Sequence, residues 1–261
     1  DHRDRDADTL SVLILANLGI LTDTQLAAVR RFVHKGGAVI ATGQTGLFTV
    51  DGDPRTDFAL ADLFGVHMRG PVTHRFENRT RGRGGFAPNA QHTYLRLLPG
   101  RRGITDGPHW PDEPHSAPRR HPVLAGFDDT DILPFGSSLA DDLALDPAAR
   151  VLATFIPSFP STPPEIVYMR TRSTDIPGII INDSHPGRIV YLPADIDRLY
   201  ASLNMADHGD LLANIIRWAA KDSIPVQIDG PGFINVELYR QQNHLILHLL
   251  NLTNTNAWRA P

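Results

Sequence analysis

Two short apolar runs near the start of the chain, separated by one helix-length spacer, do most to limit what it can fold into. Ser11 to Ala16 reads SVLILA and Ala38 to Thr42 reads AVIAT, both without a charge and rich in branched side chains. Runs of this kind fit strands buried on both faces of a parallel sheet. Between them Thr22 or Asp23 can cap a helix, with Gln25 near the capping-box position. Leu26, Val29, Phe32 and Val33 recur at helical spacing before Lys35, Gly36 and Gly37 stop the helix. Strand, helix and strand within about thirty residues make a right-handed βαβ unit. The expected class is therefore α/β with a mostly parallel sheet.

Further along, the loop GQTGLFTVDGDPRTD leads to an expected short helix from Phe58 to Phe64, ending at Gly65. Tyr94 to Leu98 alternates like a strand, and Val151 to Ile156 and Glu165 to Arg170 read as two more, separated by the turn-forming PSFPSTPP. Ile176 to Asn182 and Arg188 to Leu192 resemble a hairpin pair about DSHPG. His208 to Ala220 is an amphipathic helix with Leu211, Leu212, Ile215, Ile216 and Trp218 on or near its buried side. After Asp222 the character changes to PVQIDGPGFINVELYRQQNHLILHLLNLT, two alternating strands joined by RQQN. The expected division is an α/β domain over residues 1–222 and a β-hairpin or partial β-sandwich over 223–261. So short a β segment is too small for a sandwich, and is expected to add to a neighbouring sheet or to belong to a longer parent.

Composition narrows the chemistry. At 261 residues, 41% apolar and 21% charged, the chain can bury one sizeable core. No window approaches the roughly 18 uninterrupted apolar residues of a membrane helix. The N-terminal DHRDRDADT is charged where a secretion signal would be apolar, which favours the cytoplasm and gives no membrane partner. The absence of cysteine excludes disulfides, thiolate metal centres and a Cys nucleophile. A net charge of -4 argues against wholesale nucleic-acid binding. Between His67 and His121, ten Arg and six His stand against only Glu77, Asp106, Asp112 and Glu113. That window could meet an acidic partner, but its Gly and Pro content fits a long solvated excursion better, and it lacks regularly spaced aromatics for stacking bases. His244 and His248, four apart in an expected strand, share a face without a third ligand, so no metal and no cofactor are expected.

The polar stretch after GRIVYL is the candidate site. The strand Arg188 to Leu192 breaks at Pro193 and throws Asp195, Asp197, Arg198, Asn204, Asp207 and His208 into the connection before the last helix. Ligands of open α/β sheets settle at the carboxyl ends of strands. In an extended segment Asp195 and Asp197 would point the same way, and with His185, Asp207 or His208 they could bind a metal or share a proton. The structural reading is stronger. Asp207 suits an N-cap with Asp210 in the first turn, Asp197 suits an ion pair with Arg198, and Arg198 and Asn204 could bond backbone carbonyls.

Several phrases together resemble a family. They are LSVLILANLGILTDTQLAAVRRFVHKGGAVIATGQTGLFTVDG, FALADLFGV, HPVLAGF, GRIVYLPADIDRLY, DHGDLLANIIRWAA and VELYRQQNHLILHLLNLT, spread from Leu10 to Thr253. In order and spacing they look like the trimerisation domain of glycoside hydrolase family 42 β-galactosidases, and closer still to the matching region of hypothetical glycosyl hydrolases whose barrel is grouped as family six. The resemblance implies a flavodoxin-like, class I glutamine amidotransferase-like three-layer sandwich, standing behind a catalytic barrel that this chain does not contain. In such parents a carboxylate pair in the barrel cuts the glycosidic bond.

The amidotransferase relationship implies a Cys on a strained elbow after a strand and a His after a later one. Here the elbow is TGQTG. The nucleophile position falls on Gly43, with Thr42 and Thr45 the nearest hydroxyls, and the His position falls on Pro193, Ala194 and Asp195. A Thr in a tight turn usually bonds its own backbone. Three readings follow. The chain is a non-catalytic domain serving homo-oligomer assembly, with a trimer as one form of it, or shaping a carbohydrate site. It is instead an autonomous hydrolase using Asp195, Asp197 and His208, with Gln44 and Thr45 across the cleft. Or it is a sugar-binding module in that cleft, lined by Gly43, Gln44, Thr45, Asp195, Asp197, Arg198, Asn204 and Asp207.

Overall fold

A computed structural model describes residues 10–70, 92–100, 119–136, 139–140, 142–160, 162–171, 173–228 and 234–252. Most of the Arg-rich window lies outside them. The chain divides into two compact units, Asp1–Asp222 and Ser223–Pro261.

The first unit is built on a seven-stranded sheet of mixed sense. Its strands are β1 (Val12–Leu15), β2 (Ala38–Thr42), β4 (His92–Leu97), β5 (Ile132–Pro134), β7 (Arg150–Phe159), β8 (Pro177–Asn182) and β9 (Ile189–Leu192), in the order β1-β2-β9-β8-β7-β4-β5. β1 pairs parallel with β2, Val12 opposite Ala38, and β2 parallel with β9, Val39 opposite Ile189. The remaining neighbours pair antiparallel. Parallel pairing is thus confined to the side where a helix crosses between strands, and the expected hairpin about DSHPG accounts for the turn to antiparallel at β8 and β9. A small antiparallel pair, β3 (Val66–Met68) with β6 (Leu143–Leu145), stands apart from the main sheet.

Helices cover both faces. α1 (Asp23–His34) opens on the expected capping box: the Thr22 hydroxyl accepts from the Gln25 N–H at 3.2 Å, and the Gln25 side chain accepts from the Thr22 N–H at 2.9 Å. It buries Leu26, Val29 and Val33 with Val39 and Ala41 of β2 and with α2 (Ala61–Phe64). The other face carries α3 (Ile196–Leu203) and α4 (Ala206–Ala219), whose Ile196, Leu199, Leu211, Ile215 and Trp218 pack against Ala38 and Ile40. Alternate residues of β2 therefore feed opposite cores, as the period of a strand buried on both faces requires.

Four expectations are corrected. Glu165 to Arg170 is no strand: Pro164–Ile166 is a single 3-10 turn. Pro163 and Pro164 remove two ladder donors, and β7 already has β4 on one side and β8 on the other. β7 also runs on through Pro157 to Phe159, into what reads as turn. The helix expected over Phe58 to Phe64 is the four-residue α2, ended by Gly65 at φ 65°. The stretch expected as an open connection after Pro193 contains α3, because Ile196 and Leu199 recur at helical spacing and are buried.

The second unit is a hairpin of β10 (Ile234–Gln241) and β11 (His244–Asn251), with Gln241 opposite His244 around a two-residue turn. One of its faces collects Ile234, Val236, Leu238, Leu245, Leu247 and Leu249.

Candidate functional site

The carboxyl ends of β1, β2 and β9 converge on the elbow Thr42 to Thr45. Asn17, just past β1, adopts a left-handed φ of 47°. Its N–H donates to the Thr42 hydroxyl at 2.9 Å, and its side-chain oxygen accepts from the Gln44 N–H at 2.8 Å. Gly43 turns at φ 57°, and a Cβ there would collide with the Asn17 side-chain oxygen. The Gly43 N–H donates to the carbonyls of Leu192 (2.9 Å) and Ala194 (3.2 Å), tying the elbow to the end of β9. The Gly43 carbonyl accepts from the Tyr191 hydroxyl at 2.8 Å. Tyr191 is fully buried, stacked on Phe64 at 4.7 Å, and burial pushes its hydroxyl well above the usual tyrosine range.

Thr45 is sealed in. Its hydroxyl lies 2.7 Å from the Thr42 carbonyl and 3.0 Å from that of Leu15, and accepts from the Leu18 N–H at 3.2 Å. With no exposed surface it is a backbone clamp, not a nucleophile facing a cleft.

Asp195 and Asp197 do not point the same way along an extended segment, because Asp195 is the residue before α3 and Asp197 sits in its first turn. The expected ion pair goes to the other carboxylate. Arg198 Nε donates to Asp195, which is buried, and this bond, with a smaller pull from Asp197, raises the Arg198 guanidinium further. One carboxylate oxygen of Asp197 is buried with no hydrogen-bond partner among the described residues. Asn204 ends α3 in the left-handed region at φ 51°, its N–H on the Tyr200 carbonyl at 2.7 Å. Asp207 is not an N-cap: Met205 holds that position, and Asp207 lies exposed in the first turn of α4.

His208 is fully buried, with Nε2 2.8 Å from the Pro134 carbonyl on β5. A ring nitrogen facing a carbonyl must donate, so Nε2 carries a proton, while Nδ1 has no partner among the described residues. The ring serves the contact of α4 with β5 and does not reach into the turn as a base. His185 stands at the other end of β9, its Nε2 3.2 Å from the Asp62 carbonyl. His244 and His248 share one face of the hairpin, His248 edge-on to Tyr239 at 5.4 Å. Among the described residues no cluster of His, Asp and Glu has a metal-holding arrangement.

Sequence reasoning missed two clusters. His67 on β3 has Nδ1 2.7 Å from Asp57 and Nε2 3.5 Å from Asp146; the bond to Asp57 chiefly raises its pKa. Arg120 is buried against Asp131 and donates to the carbonyls of Pro99 (3.0 Å), Thr130 (2.7 Å) and Phe127. Their partners stand seven or more positions away, beyond one turn of helix or one strand pair, so no local spacing announces them.

No family model matches the sequence, and no curated protein matches it. Solved structures share its fold. A β-galactosidase from Bacillus circulans sp. alkalophilus superposes with TM-score 0.56 at 13% identity over 92% of this chain and 27% of its own. Gan42B, a GH42 β-galactosidase from G. stearothermophilus, gives 0.57 at 12% identity over 96% of this chain and 27% of its own. An α-L-fucosidase isoenzyme 2 from Paenibacillus thiaminolyticus gives 0.53 at 18% identity over 94% of this chain and 30% of its own. The chain thus has the α/β fold found in a region of larger glycosidases, and spans little more than a quarter of their length. Among the described residues no helix is long and apolar enough to cross a membrane.

Proposed function

We propose that this chain is a non-catalytic domain of a glycoside hydrolase, on the amidotransferase-like plan of the family 42 trimerisation domain. It serves homo-oligomer assembly, as a trimer on that plan, or the shaping of a carbohydrate site carried by another domain. The observation that carries this reading is the elbow after β2. Gly43 holds the turned backbone without a side chain, and the hydroxyls of Thr42 and Thr45 on either side are spent on backbone groups. Where a base would stand after β9 there is Asp195, committed to Arg198. Nucleophilic catalysis needs an accessible nucleophile within reach of its base, and among the described residues this end of the sheet offers neither. Glycosidase regions with the same fold support the parent class. Light scattering of the 261-residue chain at about 10 µM is expected to show a stable oligomer, since specific assembly holds at such concentrations; a monomer overturns the assembly role. In a broad glycoside and ester screen no turnover is expected, and turnover abolished by Asp195→Asn overturns the non-catalytic reading.

A second reading, a sugar-binding module at the same end, draws support from Asp197 alone. A buried carboxylate oxygen without a donor is costly unless a ligand hydroxyl supplies one. A sugar bound there would stabilise the native state, so a sugar panel that leaves the melting temperature unmoved removes this reading.

A further inference from the structure

We propose that His67 is a pH-operated clasp: charged, it holds Asp57 before α2 and Asp146 after β6 at once, and neutral, it keeps Asp57 and releases the Asp146 turn. The inference is independent of the assembly reading. The ring sits on β3 between two carboxylates from different segments, with Nδ1 2.7 Å from Asp57 and Nε2 3.5 Å from Asp146. An ionised carboxylate only accepts hydrogen bonds, and a neutral imidazole has one N–H to give. Only the imidazolium can serve both. The carboxylates keep the ring protonated above the ordinary value of 6.5, chiefly through the bond to Asp57. With its side chain 41% exposed, the ring exchanges protons directly with solvent.

The two sides of the clasp are not equally strong. Asp57 is fixed by its neighbours: its other oxygen accepts from the N–H groups of Phe58 and Met68, both at 2.8 Å. The proton that remains on a neutral ring therefore stays on Nδ1. The Nε2 lone pair then faces the Asp146 carboxylate, and attraction becomes repulsion. The backbone of Asp146 makes two bonds: its N–H donates to the Gly65 carbonyl at 2.9 Å, and its carbonyl accepts from the Ala149 N–H at 3.0 Å. They close the turn from β6 into β7, beside a β3–β6 pair only three residues long. Loosening is expected there and not in the main sheet. Of the other charges nearby, Asp62 on α2 pairs with Arg30 at 2.8 Å, and Arg69 and Asp142 stand two positions beyond the ring and beyond Ala144, the residue opposite it.

NMR of the histidine ring nitrogens in the 261-residue chain, from about pH 5.5 to about pH 9, reads the clasp directly. Both His67 nitrogens are expected to carry protons at the acid end, and Nδ1 alone at the alkaline end. Across the same transition, exchange of the Asp146 and Ala149 amides is expected to rise by about threefold or more relative to the Val39 amide, which is bonded within the sheet. In His67→Gln this excess is expected to vanish. Should that variant lose the fold, Asp146→Asn, at a half-exposed position, decides the matter by the same measurement. The side-chain amide it introduces can donate to Nε2, so the excess vanishes while the Nδ1 proton stays. A neutral ring protonated on Nε2 overturns the clasp. So does exchange at Asp146 and Ala149 that tracks Val39 in the wild type, or that keeps its excess in a folded variant.

Discussion

Thr45 and His67 mark the two kinds of residue in this molecule. Thr45 was legible as a threonine in a tight turn, and its hydroxyl does tie the backbone of Leu15 to Leu18 to that of the elbow at Thr42. Thr45→Val keeps the shape but removes the donor to the buried Leu15 and Thr42 carbonyls and the acceptor of the Leu18 N–H, so urea unfolding is expected to show a loss of about 1–3 kcal/mol with an unchanged slope. His67 was legible only as one member of a basic window, because Asp57 and Asp146 reach it from other segments. Its folded pKa lies above the ordinary histidine value of 6.5, which it retains when unfolded. The stabilisation is fully present below that value and fades as pH rises through the folded pKa. Melting temperatures measured from about pH 6 to about pH 8 are expected to fall more in wild type than in His67→Gln. Asp131→Asn leaves the Arg120 charge buried without its counterion and is expected to cost about 3–5 kcal/mol in the same unfolding assay.

At the scale of elements, local chemistry predicted best where it acts locally. The cap at Thr22, the period of α1 and the runs of β1, β2 and β9 all follow from neighbours within one turn or one strand. Thr22→Ala is expected to cost about 1 kcal/mol, read as a lower denaturant midpoint. α3 was missed because its carboxylates drew attention as a site, although Ile196 and Leu199 already mark a buried helical stripe. Glu165 to Arg170 has strand-like composition, yet β7 has no free edge to offer it. Gly187, by contrast, is required by an approach between elements: a Cβ there would strike the Gly37 carbonyl at the entry to β2. Gly187→Ala is expected to destabilise by more than about 2 kcal/mol, as backbone clashes in a packed core do.

For the whole molecule, the buried apolar clusters among the described residues are built from the first unit. A chain ending at Asp222 is therefore expected to keep a cooperative thermal transition within a few degrees of the full chain, a few degrees being about 1 kcal/mol at this size. Calorimetry that finds a broad or lost transition overturns this independence. The hairpin, with Leu245, Leu249 and Leu250 more than half exposed, is not a self-sufficient fold at two strands.

The sequence by itself determined the βαβ opening, the α/β class, the break in character after Asp222 and the absence of thiol chemistry, because periodicity, capping and residue type are written within a few positions. Only the tertiary structure decided that Arg198 pairs with Asp195, that His208 turns to Pro134 and that Asp57 and Asp146 flank His67. It also decided the strand order β1-β2-β9-β8-β7-β4-β5. A pairing between distant segments depends on which strand lies beside which, and that order is set by the packing of two cores on one sheet rather than by the spacing of residues along the chain.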